Sequence, residues 1–296
     1  RIEILDAFSD RLSVFGFDRK AFVASYGMAE CSLAVSFAPL NQGAVVDVVD
    51  AELLSEQQQA LPANDLPEGC RSKTLVNCGN PLPGHEIIVR DELGQELPDR
   101  KCGTIFVRGP SVMCGYFGDT EATARVLSED GWLNTGDIGY LYDGNLVITG
   151  REKDMIIING RNFWPQDLEF HAEQQPEIRP GDASAISVLA DDGSETAVMV
   201  VQYRETDENK RKEMTERLTR IVREEVGINC IIELVSAHTL PRTSSGKLSR
   251  AGTQRDYLRR QQEKRQQTVE PLFEEQNSSV ETPALRLAAA GKRYAH

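Results

Sequence analysis

The chain has 296 residues, 40% hydrophobic and 27% charged, an ordinary globular balance with room for about two domains. Its formal net charge of −13 argues against general nucleic-acid binding, and its longest aliphatic run, Met155 to Ile158, falls far short of the ~18 apolar residues of a membrane span. The six cysteines (Cys31, Cys70, Cys78, Cys102, Cys114 and Cys230) form no CxxC pair, and with four scattered histidines they point to reduced thiols in a cytoplasmic protein, not to a zinc site.

The opening residues space Ile2, Leu5, Phe8, Leu12 and Phe15 as a helix with no capping residue ahead of it, which predicts further sequence upstream. A short strand is expected from Phe22 to Ser25, a turn at Gly27, then a small-residue helix or extended stretch to Phe37. From Val45 to about Thr149 the signals are mainly β, broken by a polar insertion at about 50–73 that reads as a helix and loop. "HEIIVRDELGQELP" reads as strand, turn and strand, and "GTIFVRG" puts Ile105 and Val107 on one face. "IGYLYDGNLVITG" reads as a hairpin turning at Asp143-Gly144.

The organisation changes at Gly150. "DMIII" is a strand, Asn159-Gly160 a turn, and "WPQDLEFHAEQQP" a helix with Pro165 in its first turn. A hairpin around "DDGS" follows, then an amphipathic helix with Met214, Leu218, Ile221, Val222 and Val226 on one face, a strand "CIIELV" and a basic helix from about Ser249. Residues 150–262 therefore read as a compact α+β unit. Residues 263–296 are Gln/Glu-rich and are expected to be a disordered tail or linker, with Pro283 able to start a short helix.

Four stretches carry candidate chemistry. In "SYGMAE", Tyr26 offers a flat face for a base and Glu30 a hard oxygen suited to Mg²⁺; the same residues would also serve a plain strand-to-helix corner. In "DGWLNTGDIG", Asp137 sits in a Gly-flanked turn where a carboxylate can accept both ribose hydroxyls or simply end a strand, while Trp132 reads as core or interface. In "GREKD", Arg151 has reach to a ribose or phosphate, and Lys153 and Asp154 lie where the chain passes between units. "LPRTSSGKLSR" puts Lys247 on an exposed turn that fails the P-loop pattern, since Leu248 follows the lysine. Around it, residues 242–265 hold eight cationic against two acidic side chains, a net +6 that is either a solvated helix face or a site for phosphates or an acidic partner.

In this order, the four stretches resemble the adenylate-forming superfamily of acyl- and aryl-CoA synthetases, peptide-synthetase adenylation domains and luciferases, from about Ala21 to Leu258. The resemblance implies an α+β multidomain fold: residues 1–149 as the end of a large AMP-binding domain with a β-rich, distorted-barrel subdomain at about 41–149, then a small mobile α+β lid at 150–262 with its hinge at 151–154. It implies that Tyr26, flanked by Gly27 and Met28, stacks on adenine, that Glu30 holds Mg²⁺ and that Asp137 and Arg151 contact the nucleotide of ATP. Lys153 with Asp154 would be the pivot, and Lys247 the catalytic lysine bridging carboxylate and α-phosphate.

"SYGMAECSLAVSFAP", "LVNCGNPLPGHEIIV" and "REKDMIIINGRNFWPQDLE" are most similar to fatty acyl-AMP ligases, in which an insertion at 50–73 goes with disfavouring CoA. That likeness implies a fatty acid substrate, an acyl carrier protein or polyketide synthase as acceptor, and Arg255, Arg259 and Arg260 as contacts to the acidic carrier. The family's upstream phosphate-binding loop has no match in residues 1–24, so the chain resembles the C-terminal half of such a ligase and is not expected to adenylate alone. Two alternatives stay open: a long-chain fatty acyl-CoA ligase, and a non-catalytic split or decayed half acting as a binding module.

Overall fold

The computed structural model describes residues 2–63, 71–190, 193–244 and 246–277, with side chains through Gln266. The expectations for Cys70, the Asp191–Asp192 turn, Ser245 and residues 278–296, Pro283 included, lie outside the described residues.

α1 (Ile2–Ser13) forms on the expected apolar spacing, but its apolar side faces no large core: Ser9 is its buried residue, and Phe8 meets Phe17 and Phe22 with ring centroids 5.3 and 5.9 Å apart. Asp18 accepts from the Lys20 amide and closes a 3-10 turn at Arg19–Ala21, so the first strand starts at Ser25 and not at Phe22. That strand is β1 (Ser25–Tyr26). After a 3-10 turn at Ala29–Cys31 come β2 (Ser36–Phe37), β3 (Val46–Asp50), α2 (Ala51–Gln57), β4 (Ser72–Val76) and β5 (Asn80–Pro81). The helix inside the insertion exists because Asp50 caps it, accepting from the Glu52 and Leu53 amides.

The main sheet of this half is antiparallel, in the order β6 (Glu86–Arg90), β7 (Gly103–Arg108), β8 (Leu133–Tyr142), β9 (Asn145–Arg151), with α3 (Thr120–Val126) between β7 and β8 in the chain. Ile105 and Val107 point together into its core and are fully buried with Leu133 and Leu146. The β8–β9 turn has positive φ at both Asp143 and Gly144, the requirement of a tight two-residue hairpin. The second strand expected after Asp91 is reduced to one bridge, Arg90 to Glu96, because Asp91 accepts from the Leu93 and Gln95 amides and folds the segment into a turn. Among the described residues β1–β2–β5, β3–β4 and β6–β9 are three sheets that do not close into a barrel but are joined at places such as the Asn77–Val147 bridge.

Beyond Arg151 a 3-10 turn at Glu152–Asp154 leads into a second unit with its own core. It holds the hairpin β10 (Ile156–Ile158) and β11 (Arg161–Phe163), α4 (Pro165–Glu173), β12 (Ala183–Leu189), β13 (Glu195–Gln202), α5 (Glu208–Glu225), β14 (Cys230–Val235) and α6 (Arg250–Asn277). α5 is the crossover that lets β14 pair parallel to β13, and it buries Met214, Leu218 and Val222 against Ile156, Leu168 and Met199. α6 runs to Asn277, past the 262 boundary expected for this unit.

The two units touch beside the insertion. Lys73 pairs with Asp167 at 2.7 Å, Arg161 with Glu56 at 3.0 Å, and Arg71 donates to the Glu225 carbonyl at 2.9 Å. The indole of Trp164 rests on Gly150, where an added Cβ would collide with the ring.

Candidate functional site

Three of the sequence-predicted residues meet at one carboxylate. Tyr26 on β1 donates its hydroxyl to Asp137 Oδ2 at 2.6 Å, and Arg151, the last residue of β9, donates Nε to Asp137 Oδ1 at 2.9 Å. The sheet delivers two of them directly, because Asp137 and Arg151 are register partners in the β8–β9 ladder. Just beyond that pair the ladder slips between Ile138 and Gly139, the kind of irregularity that re-aims side chains beside a site. From below, the Asp137 amide donates to Thr135 Oγ1, which itself donates to the Ile105 carbonyl.

Asp137 is buried, whereas its partner Arg151 is half exposed. Burial, then the neighbouring Asp137, raises the Tyr26 pKa far above its ordinary value and keeps the phenol a donor. Each Asp137 oxygen keeps a second lone pair beyond its protein partner, which leaves acceptor capacity for hydroxyls of a ligand. Gly27 is required by close approach: a Cβ there would run into the Leu33 carbonyl and the Ala34 backbone. Met28 packs partly buried against the core that carries Tyr26.

Glu30 stands one turn further on, in the Ala29–Cys31 3-10 turn. Its Oε1 accepts from the Tyr116 hydroxyl at 2.9 Å, and its carbonyl accepts the Met113 amide at 2.7 Å. The hydrogen bond to Glu30 is the main cause of a raised Tyr116 pKa. A lone carboxylate is a donor set that suits Mg²⁺, which takes one or two protein oxygens and completes its shell with phosphates and water; among the described residues no cluster of three or more acidic, His or Cys side chains adds to it.

Lys247 is exposed on a tight loop of the second unit. The Thr243 amide donates to the Lys247 carbonyl at 2.7 Å, and Arg242 ties the loop to the carbonyls of Gly246 and Gly181. The contacts described for Lys247 are these backbone ones, so the structure does not bring its side chain into the Tyr26–Asp137–Arg151 group. Lys153 is exposed on the connecting turn, and Asp154 is half-buried there. On α6, Arg255 and Arg259 are exposed, whereas Arg260 is held by Glu233 at 2.6 Å. Trp132 is core: it is buried between the guanidinium groups of Arg108 and Arg90.

A family profile described as AMP-binding enzyme matches residues 3–117, the stretch that contains Tyr26 and Glu30. A putative acyl-CoA synthetase of Caulobacter vibrioides is 47% identical over 260 residues, which is 87% of this chain and 45% of the relative. A structure from a study of fatty acyl-adenylate ligases of E. coli and L. pneumophila superposes with a TM-score of 0.80 at 42% identity, over 87% of this chain and 45% of that one. The similarity to AMP-binding enzymes therefore runs through both units of this chain. A further relative, the medium-chain-fatty-acid–[acyl-carrier-protein] ligase JamA of Moorena producens, is 33% identical over 272 residues, again 87% of this chain and 45% of the relative. The chain thus spans a little under half the length of the curated relatives it matches.

Two residues of this chain were not legible in the sequence. Tyr116 escaped because "GYFG" carries no titratable pattern and its partner is 86 positions away. Arg250 was counted only as part of the basic segment, yet it is the hub of a mostly buried ion cluster with Asp154 and Glu169.

Proposed function

We propose that this chain is part of a fatty acyl-AMP ligase. The observation that carries the reading is the meeting of Tyr26 and Arg151 at the Asp137 carboxylate, in a chain similar to fatty acyl-adenylate ligases.

In the proposed first step a fatty carboxylate oxygen attacks the α-phosphorus of ATP. The α–β phosphoanhydride bond breaks, and acyl-adenylate and pyrophosphate form. Tyr26, with Gly27 and Met28, supports the adenine, while Asp137 accepts the ribose hydroxyls and Arg151 stays at its side. Glu30, steadied by Tyr116, would hold Mg²⁺, which when bound neutralises phosphate charge. Lys247 supplies positive charge where negative charge gathers between carboxylate and phosphate, an interaction that contributes only if the second unit brings it there. Rotation of the second unit about Lys153 would then withdraw Lys247 and open the mixed anhydride to a thiol, which takes the acyl group as AMP leaves.

The acceptor we favour is the phosphopantetheine thiol of an acyl carrier protein, supported by the likeness to the JamA ligase and by the exposed cations of α6. CoA is the second reading, favoured by the name of the Caulobacter relative. The complete protein, given fatty acid, ATP and Mg²⁺, is expected to release pyrophosphate and form acyl-adenylate detectable by mass spectrometry, then load holo-carrier protein faster than CoA. Fatty-acid-independent pyrophosphate release, or none, would overturn the ligase reading; faster acylation of CoA would move the acceptor to the second reading.

A further inference from the structure

The turn between the two units is anchored at both ends by charge. On its N-terminal side Arg151 is held twice, by the β8–β9 ladder opposite Asp137 and by its ion pair with that residue at 2.9 Å. On the C-terminal side Asp154 Oδ2 accepts from Arg250 Nη1 at 3.1 Å. The same guanidinium makes a two-pronged pair with Glu169: Nε to Oε1 at 2.9 Å and Nη2 to Oε2 at 2.7 Å. Glu169 is itself fixed, since Oε1 also accepts the Ala185 amide of β12 at 3.0 Å. The cluster is largely shielded, with side-chain exposures of 18% for Arg250, 17% for Asp154 and 6% for Glu169.

We propose that Arg250 is a positioning residue that confines rotation between the two units to Glu152 and Lys153 and makes the Lys247 loop move as one body with Asp154. Without it, the next anchor after Arg151 is Ile156, which is fully buried in the second core, and the free segment would lengthen to include Asp154 and Met155. Arg250 opens α6 directly after the Lys247 loop, and Ser249 binds the loop to the helix by accepting the Thr253 amide through its carbonyl. One planar fork therefore links the pivot, the second unit's sheet and the lysine loop. Lysine cannot reproduce this, because its compact ammonium on a flexible stem lacks the rigid planar fork that pairs two-pronged with Glu169 while reaching Asp154. The role rests on the ligase reading for its catalytic meaning, but its physical content is independent of turnover.

Amide hydrogen exchange tests it. In Arg250→Gln and Arg250→Lys the peptide spanning 152–158 is expected to exchange about tenfold faster, while the β13 peptide around 197–201 keeps its protection. Unchanged exchange at 152–158 in the Gln variant overturns the proposal, as does full protection in the Lys variant, which would mean that a charge without the fork suffices. If Arg250→Gln also loosens β13, Asp154→Ala decides, because it leaves the Arg250–Glu169 pair in place. Faster exchange confined to 152–158 supports the proposal; none, or loosening of both regions, overturns it. In the complete protein Asp154→Ala is expected to lower kcat for acyl-adenylate formation about tenfold at unchanged KM for ATP. An unaltered kcat overturns the positioning role, whereas absence of acyl-adenylate from the unmodified protein overturns the ligase reading instead.

Discussion

The Tyr26 hydroxyl lies 2.6 Å from Asp137 Oδ2 and joins two residues 111 positions apart. The contact ties the short strand β1 to the main sheet through a buried carboxylate.

Tyr26→Phe keeps the ring and removes the donor. A hydrogen bond to a charged group contributes about 1.5–3 kcal/mol, so ATP affinity is expected to fall by roughly tenfold or more, with a lower Tm. Isothermal titration with ATP and a thermal melt measure both. Unchanged affinity would mean that Asp137 is oriented by Arg151 and Thr135 alone.

Lys247→Ala in the complete protein is expected to slow acyl-adenylate formation by about 10²–10³, the usual loss for one electrostatic stabiliser of a transition state. Transfer from preformed acyl-adenylate to a thiol should continue at near its normal rate. Equal loss in both half-reactions would place Lys247 in general folding of the loop.

The basic face of α6 divides in two. Arg255→Glu with Arg259→Glu is expected to slow loading of an acidic carrier protein far more than pyrophosphate release, with the effect shrinking as salt rises. Arg260→Glu should act differently, lowering Tm, because Arg260 pairs with the mostly buried Glu233; the loss is about 1–3 kcal/mol, toward the lower end since Lys264 stays 3.1 Å from the same carboxylate. Carrier loading and melting curves of the two variants separate the roles.

Burial raises the thiol pKa values of Cys31 and Cys78 to about 11 and of Cys102 and Cys230 to about 12. Below pH 9 these thiols are protonated and shielded, so a thiol-specific reagent should reach the exposed Cys114 before any of them. Peptide mapping after brief labelling at pH 8 checks the order.

The legible parts of this protein were local. Asp143-Gly144 and Asn159-Gly160 were readable as turns because only left-handed backbone closes them, and both pairs have positive φ. Tyr26, Asp137 and Arg151 were each named from a short stretch, but their meeting at one carboxylate depends on the β8–β9 register and the placement of β1, which no stretch contains. Arg250 and Tyr116 went unseen because their partners Asp154 and Glu30 lie 96 and 86 positions away.

Gly150 carries one more consequence. It is the floor on which the Trp164 indole of the second unit sits, and any side chain there would meet the ring. A single methyl group at this position would therefore act as a wedge, penalising the arrangement of the two units seen here while leaving each core intact. Gly150→Ala offers a way to bias the population toward other poses without touching any residue that binds a ligand, and so to ask which pose serves which half of the reaction.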